Sequence, residues 1–151
     1  MSFDIQFHGQ YAVFALDCEP AGMHCGEPRQ LVSQVPAGAS SWAASGAVVY
    51  FSSDRTGRWE IWKQPATGGQ IMQVTHNGGY ASHESPDGRW LYYSKAGKEG
   101  IWRKPGPNSR FDRQPTTAEE LVIGSPYRAQ LEGWAVTSDE IVFIDLARSK
   151  V

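Results

Sequence analysis

The chain repeats itself. Val49-Tyr50-Phe51-Ser52 recurs as Leu91-Tyr92-Tyr93-Ser94, and Glu60-Ile61-Trp62-Lys63-Gln64-Pro65 recurs as Gly100-Ile101-Trp102-Arg103-Lys104-Pro105. The first pair is 42 positions apart and the second 40. A third copy of the first element, Ile141-Val142-Phe143-Ile144, lies 50 positions beyond Leu91. Short apolar runs at a period of about 40–50 residues are the pattern of β-propeller blades, each a four-stranded antiparallel sheet.

Turn chemistry falls where such blades need it. Ser85-Pro86-Asp87-Gly88 precedes Trp90-Leu91-Tyr92-Tyr93; proline presets φ and Asp-Gly supplies a positive φ, so a hairpin is expected there. Ser53 to Gly57, Lys95 to Gly100 and Thr67-Gly68-Gly69 read as further hairpins, and Ser138-Asp139-Glu140 takes the first-hairpin position of the third copy. The spacing predicts twelve strands: 11–16, 30–34, 41–44, 48–52, 59–64, 70–75, 81–84, 90–94, 100–104, 120–123, 132–136 and 141–146. The fold expected is all-β, a partial propeller of about three blades. One domain is divided as a partial blade at 1–39, blades at 40–79 and 80–129, and a partial blade at 130–151. Residues 116–121 offer one helical turn at most, and 106–115 read as an exposed loop.

These residues resemble the TolB-like, or WD40-like (PD40-type), propeller repeat. The resemblance rests on Phe51-Ser52-Ser53-Asp54-Arg55-Thr56-Gly57, Ile61-Trp62, Gly68-Gly69 and Val74-Thr75 in the first repeat. In the second it rests on Ser85-Pro86-Asp87-Gly88, Tyr93-Ser94 and Ile101-Trp102. It covers residues 40–146. Ser45-Gly46-Ala47 stands in place of Pro-Asp-Gly in the first repeat, and the first 35 residues match poorly. The chain is also similar to propellers that follow winged-helix DNA-binding domains, through Gly133-Trp134-Ala135-Val136, but it carries no winged helix. Asp54 and Gly57 are one residue too far apart for a sialidase Asp box, and Asp87 and Gly88 one too close.

Blades stack face to face, so both faces of each sheet are expected to be apolar at alternate positions. The 12% aromatic content serves this purpose: Trp62 and Trp102 at equivalent positions, with Tyr50, Phe51, Tyr92, Tyr93 and Phe143, are read as inter-blade core. Asp54-Arg55 is read as a turn stabiliser. The formal charge of −2 argues against nucleic acid or an anionic membrane as partner of this chain alone, and no run approaches the ~20 apolar residues of a membrane span.

No Gly-x-Ser-x-Gly elbow, phosphate loop or His-Glu-x-x-His occurs, so no catalytic residue, cofactor or metal is assigned. The first strand of each blade lines the propeller channel. Trp42, His83, Glu84 and Trp134 fall near that strand, with Trp42 and Trp134 taken as analogous, and they form the candidate ligand-binding set; His76 lies nearby. Cys18 and Cys25, seven apart, are read as free thiols, with a loop disulfide as the alternative in an oxidising compartment. Met1 to Asp4 has no leader character, so a cytoplasmic location is expected, with periplasmic as the alternative.

The function expected is a non-catalytic TolB-like module that binds protein or peptide, as a sensor or scaffold. The alternatives are an accessory propeller of a prolyl-oligopeptidase-like hydrolase and a small-ligand or sugar-binding propeller. Three blades cannot close a ring, so a homodimer completing six blades is expected, its N-terminal strands joining the C-terminal partial blade.

Overall fold

The computed structural model describes residues 2–7, 10–19, 24–32, 36–107, 118–124 and 129–145. Among these residues there are thirteen strands and no helix. They form four antiparallel sheets of strands consecutive in sequence. The first sheet holds β1 (Ser2–Phe7), β2 (Gln10–Ala15) and β3 (Arg29–Val32). The second holds β4 (Gly38–Trp42), β5 (Val48–Ser53), β6 (Glu60–Pro65) and β7 (Met72–Gln73). The third holds β8 (Ser82–Glu84), β9 (Trp90–Lys95), β10 (Lys98–Pro105) and β11 (Glu120–Ile123). The fourth holds β12 (Ala129–Val136) and β13 (Ile141–Asp145). The first strands lie side by side across the sheets, β1 against β4, β4 against β8, and β8 against β12. This is the stacking of propeller blades about an axis.

The turns close by local chemistry. Ser85 Oγ donates to Asp87 Oδ1 at 2.6 Å, Asp87 Oδ1 accepts from the Arg89 amide, and Ser85 Oγ accepts from the Trp90 amide. Gly88 supplies the φ of 69° that the hairpin demands. The second sheet reaches the same turn without Pro-Asp-Gly, because Gly46 takes φ 70° and its amide bonds the Ala43 carbonyl. In the fourth sheet Thr137 Oγ1 replaces Ser85 as acceptor for the Asp139 and Glu140 amides.

Three apolar clusters fill the gaps between sheets. Val13 and Val32 of the first sheet pack on Val49, Phe51 and Trp62 of the second. Tyr50 and Ile61 of the second pack on Leu91 and Tyr93 of the third, with Trp102 alongside. Ala81, Tyr92 and Ile101 of the third pack on Trp134, Ile141 and Phe143 of the fourth. All the repeated aromatics thus lie between blades. Trp62 Nε1 donates to the Ser53 carbonyl, as a buried indole should, whereas Trp102 Nε1 is buried without an acceptor.

Four expectations are corrected. A strand at Ser2–Phe7 precedes those expected; its alternating Phe3, Ile5 and Phe7 carried the signal, but the repeat motif does not reach that far. With β1 in place, the N-terminal strands pair among themselves and not with β12–β13, so each of the four sheets has its own first strand. Cys18 and Cys25 are joined in a disulfide that closes the β2–β3 connection. Residues 118 and 119 have no regular structure and 120–121 belong to β11, so the helical turn is not formed there; 116 and 117 lie outside the described residues. Of the expected 106–115 loop, 106 and 107 are non-strand and the rest lies outside the described residues. No helix of the described residues is long and apolar enough to cross a membrane.

Candidate functional site

The four candidate channel residues are placed in three different settings. His83 and Trp134 meet edge to face, ring centroids 4.7 Å apart, joining the first strands of the third and fourth sheets. Burial pushes the His83 imidazole below its ordinary pKa, against a weaker upward pull from a backbone hydrogen bond at Trp134. Trp134 is 6% exposed and is a core residue. Trp42 packs instead on the cluster between the first and second sheets, and its indole N–H is buried without an acceptor. Glu84 spans the second and third sheets: Oε2 accepts from the Tyr50 hydroxyl at 2.7 Å and Oε1 from the Ala44 amide at 3.3 Å.

The register explains the separation. Trp42 lies opposite Val49, and Trp134 opposite Phe143. In the repeat Val49 corresponds to Ile141, two residues before Phe143. The two tryptophans are therefore not equivalent: they share a side of the strand but sit two rungs apart. Among the described residues no cluster of histidine, cysteine, aspartate and glutamate is arranged to hold a metal. His76 contributes its backbone carbonyl, which accepts from Arg58.

A second polar assembly, not foreseen in the sequence, lies at the hairpin end of the second and third sheets. Glu60 is 1% exposed at the start of β6. Its Oε1 accepts from Arg58 Nε at 2.8 Å and its Oε2 from Thr75 Oγ1 at 2.7 Å, while the Gly78 amide bridges both oxygens. Thr75 Oγ1 in turn accepts from the Ile61 amide. Glu119, just before β11, accepts from Lys95 Nζ (2.6 Å), Asn77 Nδ2 (2.7 Å) and the Tyr93 hydroxyl (2.7 Å). Burial pushes the Glu119 carboxyl up, but these three donors outweigh it and hold the pKa below its ordinary value. Burial, and then the Glu119 carboxylate, push Tyr93 the other way and keep its phenol protonated.

Lys95, itself buried, stands over the Trp102 ring at 4.1 Å. Arg55 stands over the equivalent Trp62 at 4.6 Å. The same cation–aromatic cap is thus built twice from different positions, since the β5–β6 hairpin reaches Trp62 from its turn and the shorter β9–β10 hairpin reaches Trp102 from the strand end. The turn residue Arg55 has a packing role beyond its turn.

No protein-family model matches the chain. An uncharacterized protein of Agrobacterium fabrum is 25% identical over 123 residues, which are 79% of this chain and 39% of that protein. A solved structure described as TolB from Agrobacterium tumefaciens superposes with a TM-score of 0.60 at 19% identity, over 92% of this chain and 54% of its own. Oligogalacturonate lyase from Vibrio parahaemolyticus superposes with a TM-score of 0.51 at 14% identity, over 85% of this chain and 34% of its own. The chain spans about half the length of the first solved structure and about two fifths of the curated relative. Four blade-like sheets, stacked by their first strands and matched to these propellers, give the chain the fold of a partial TolB-like β-propeller.

Proposed function

We propose that the chain is a non-catalytic propeller module that works by binding protein, and that its first partner is a second copy of itself. The observation that carries this reading is the fourth sheet. Among the described strands β13 pairs only with β12, whereas the matching strands β5 and β9 each have a second neighbour, β6 and β10. One side of β13 packs on the third sheet through Ile141 and Phe143. The other side presents Val142 (59% exposed) and Ile144 (53% exposed). Val142 corresponds in the repeat to Tyr50 and Tyr92, both of which meet the following blade. An open edge beside an apolar face recruits another sheet.

Each of the four sheets has its own first strand, so two copies bring eight first strands together rather than the six blades expected from sequence. Light scattering tests the association. A species of twice 16.7 kDa is expected, reduced to one chain by Val142→Glu with Ile144→Glu. A wild-type monomer at high concentration would sink the homodimer and leave further blades of a longer polypeptide as the covering element.

The disulfide supports a periplasmic or otherwise oxidising location over the cytoplasmic one. Alkylation of protein taken directly from cells should label neither Cys18 nor Cys25 until a reductant is added; immediate labelling of both would return the cytoplasmic reading.

A further inference from the structure

A cavity of about 330 Å³ opens between the β5–β6 and β9–β10 hairpins. Gly57, Arg58 and Trp59 of the β5–β6 hairpin form one wall, Lys95 and Lys98 of the β9–β10 hairpin the other, and Gly78 lies at the floor. The volume is at the lower end of small-ligand sites, about 300–1,000 Å³. Added Cβ atoms at Gly57 and Gly97 would meet nothing within 4 Å, so the hairpin turns leave the space open.

The hydrogen-bonding inventory of this cavity is one-sided. Every carboxylate oxygen near it is already engaged: both of Glu60 by Arg58, Thr75 and Gly78, and both of Glu119 by Lys95, Asn77 and Tyr93. The His76 carbonyl accepts from Arg58 Nη2. The donors are not exhausted. Among the described residues Arg58 Nη1 has no acceptor, and the exposed Lys98 makes no ion pair. Three cations, Arg58, Lys95 and Lys98, stand against two carboxylates, leaving one positive charge in excess at the mouth. Trp59, held by an edge contact with Tyr80 (5.2 Å, 75°), adds a flat apolar wall.

We propose that this inter-blade cavity is a binding site for the carboxylate of a small organic acid or of an acidic peptide side chain. Lys98 and Arg58 Nη1 hold the carboxylate, and Trp59 packs against the attached ring or chain. Charge-assisted bonds to two cations from separate hairpins select an anion over its neutral analogue. The site is separate from the β13 face and does not depend on self-association.

The test is titration of the intact chain followed by amide resonances, with two acids and their neutral counterparts. Glucuronate against glucose probes a free acid, and N-acetylglutamate amide against N-acetylglutamine amide probes a peptide side chain. Saturable shifts at Gly57, Ala96 and Lys98 are expected with at least one acid and with neither neutral analogue. The acid with the lower Kd identifies the source. Lys98→Glu should weaken binding at least tenfold and Lys98→Ala several-fold, with the rest of the spectrum unchanged because Lys98 is exposed. Added salt should weaken binding in parallel. Absence of saturable shifts with both acids would overturn the proposal, as would equal binding of the neutral analogues or unchanged affinity in both Lys98 variants.

Discussion

Single residues divide into those whose role shows in the sequence and those whose role depends on a distant partner. Tyr50, Phe51, Trp62, Tyr93 and Trp102 recur at fixed spacing, and a recurring large aromatic on a strand has one use, to fill the gap to the next sheet. Glu60 and Glu119 do not recur: the repeat places Gly100 where Glu60 stands. Apart from Arg58, two positions from Glu60, their donors come from residues 15 to 42 positions away, so no local pattern announces them. Glu60→Ala should cost about 2–4 kcal/mol, because it strands Thr75, the Gly78 amide and Arg58 together. Denaturant midpoints measure the loss, and Glu60→Gln should recover part of it by restoring an acceptor. His83 supplies a pH signature. Burial holds its folded pKa below the ordinary histidine value, so as pH falls the unfolded chain takes up the proton first. Stability contributed by neutral His83 is whole above that ordinary value and is lost as pH drops below it. Stability profiles of wild type and His83→Gln should therefore converge or cross between pH 7.5 and 5; parallel profiles would contradict this account.

At the level of elements, hairpins were legible and strand ends less so. The Asp87-Gly88 and Thr67-Gly68-Gly69 turns are dictated by residues that accept positive φ, and Gly88, Gly68 and Gly69 all adopt it. The strand after the second of these turns is only Met72–Gln73, shorter than expected, because Val74 and Thr75 turn their amides to the single carbonyl of Ile61. The β2–β3 connection was harder to foresee, since two cysteines seven apart are equally consistent with thiols and a bridge. Its disulfide closes a short loop, so Cys18→Ser or Cys25→Ser should lower stability by about 2–3 kcal/mol on the chain-entropy argument, readable as a fall in Tm. Gly100 is a sharper case. It sits in β10 at φ 106°, where an added Cβ would lie 2.3 Å from the Ile123 carbonyl oxygen. Gly100→Ala should force β11 away from β10, and the Ile123 region should lose amide protection before the rest of the sheet does.

For the whole molecule, the period fixes the architecture and leaves the count of sheets to the ends of the chain, where the repeat fades. The four candidate channel residues are spread over three settings for a related reason: proximity to a first strand does not specify the rung, and Trp42 and Trp134 lie two rungs apart. The side-by-side order of the sheets, whose main contacts among the described residues join sequence neighbours, has a thermodynamic consequence. Such a stack behaves as a one-dimensional array whose stability is the sum of each unit and its shared borders. Loss of β12–β13 removes one border and uncovers Ala81 and Ile101, while the cluster around Val13 and Trp62 is untouched. In the dissociated Val142→Glu, Ile144→Glu chain, whose β13 side has no second copy on it, native-state hydrogen exchange should therefore show a gradient, with β12–β13 opening at the lowest free energy and β5, β6 and β9 at the highest. Unfolding proceeds from an uncovered sheet inward, and a sheet laid on β12–β13 by a second copy raises the free energy of opening for those behind it.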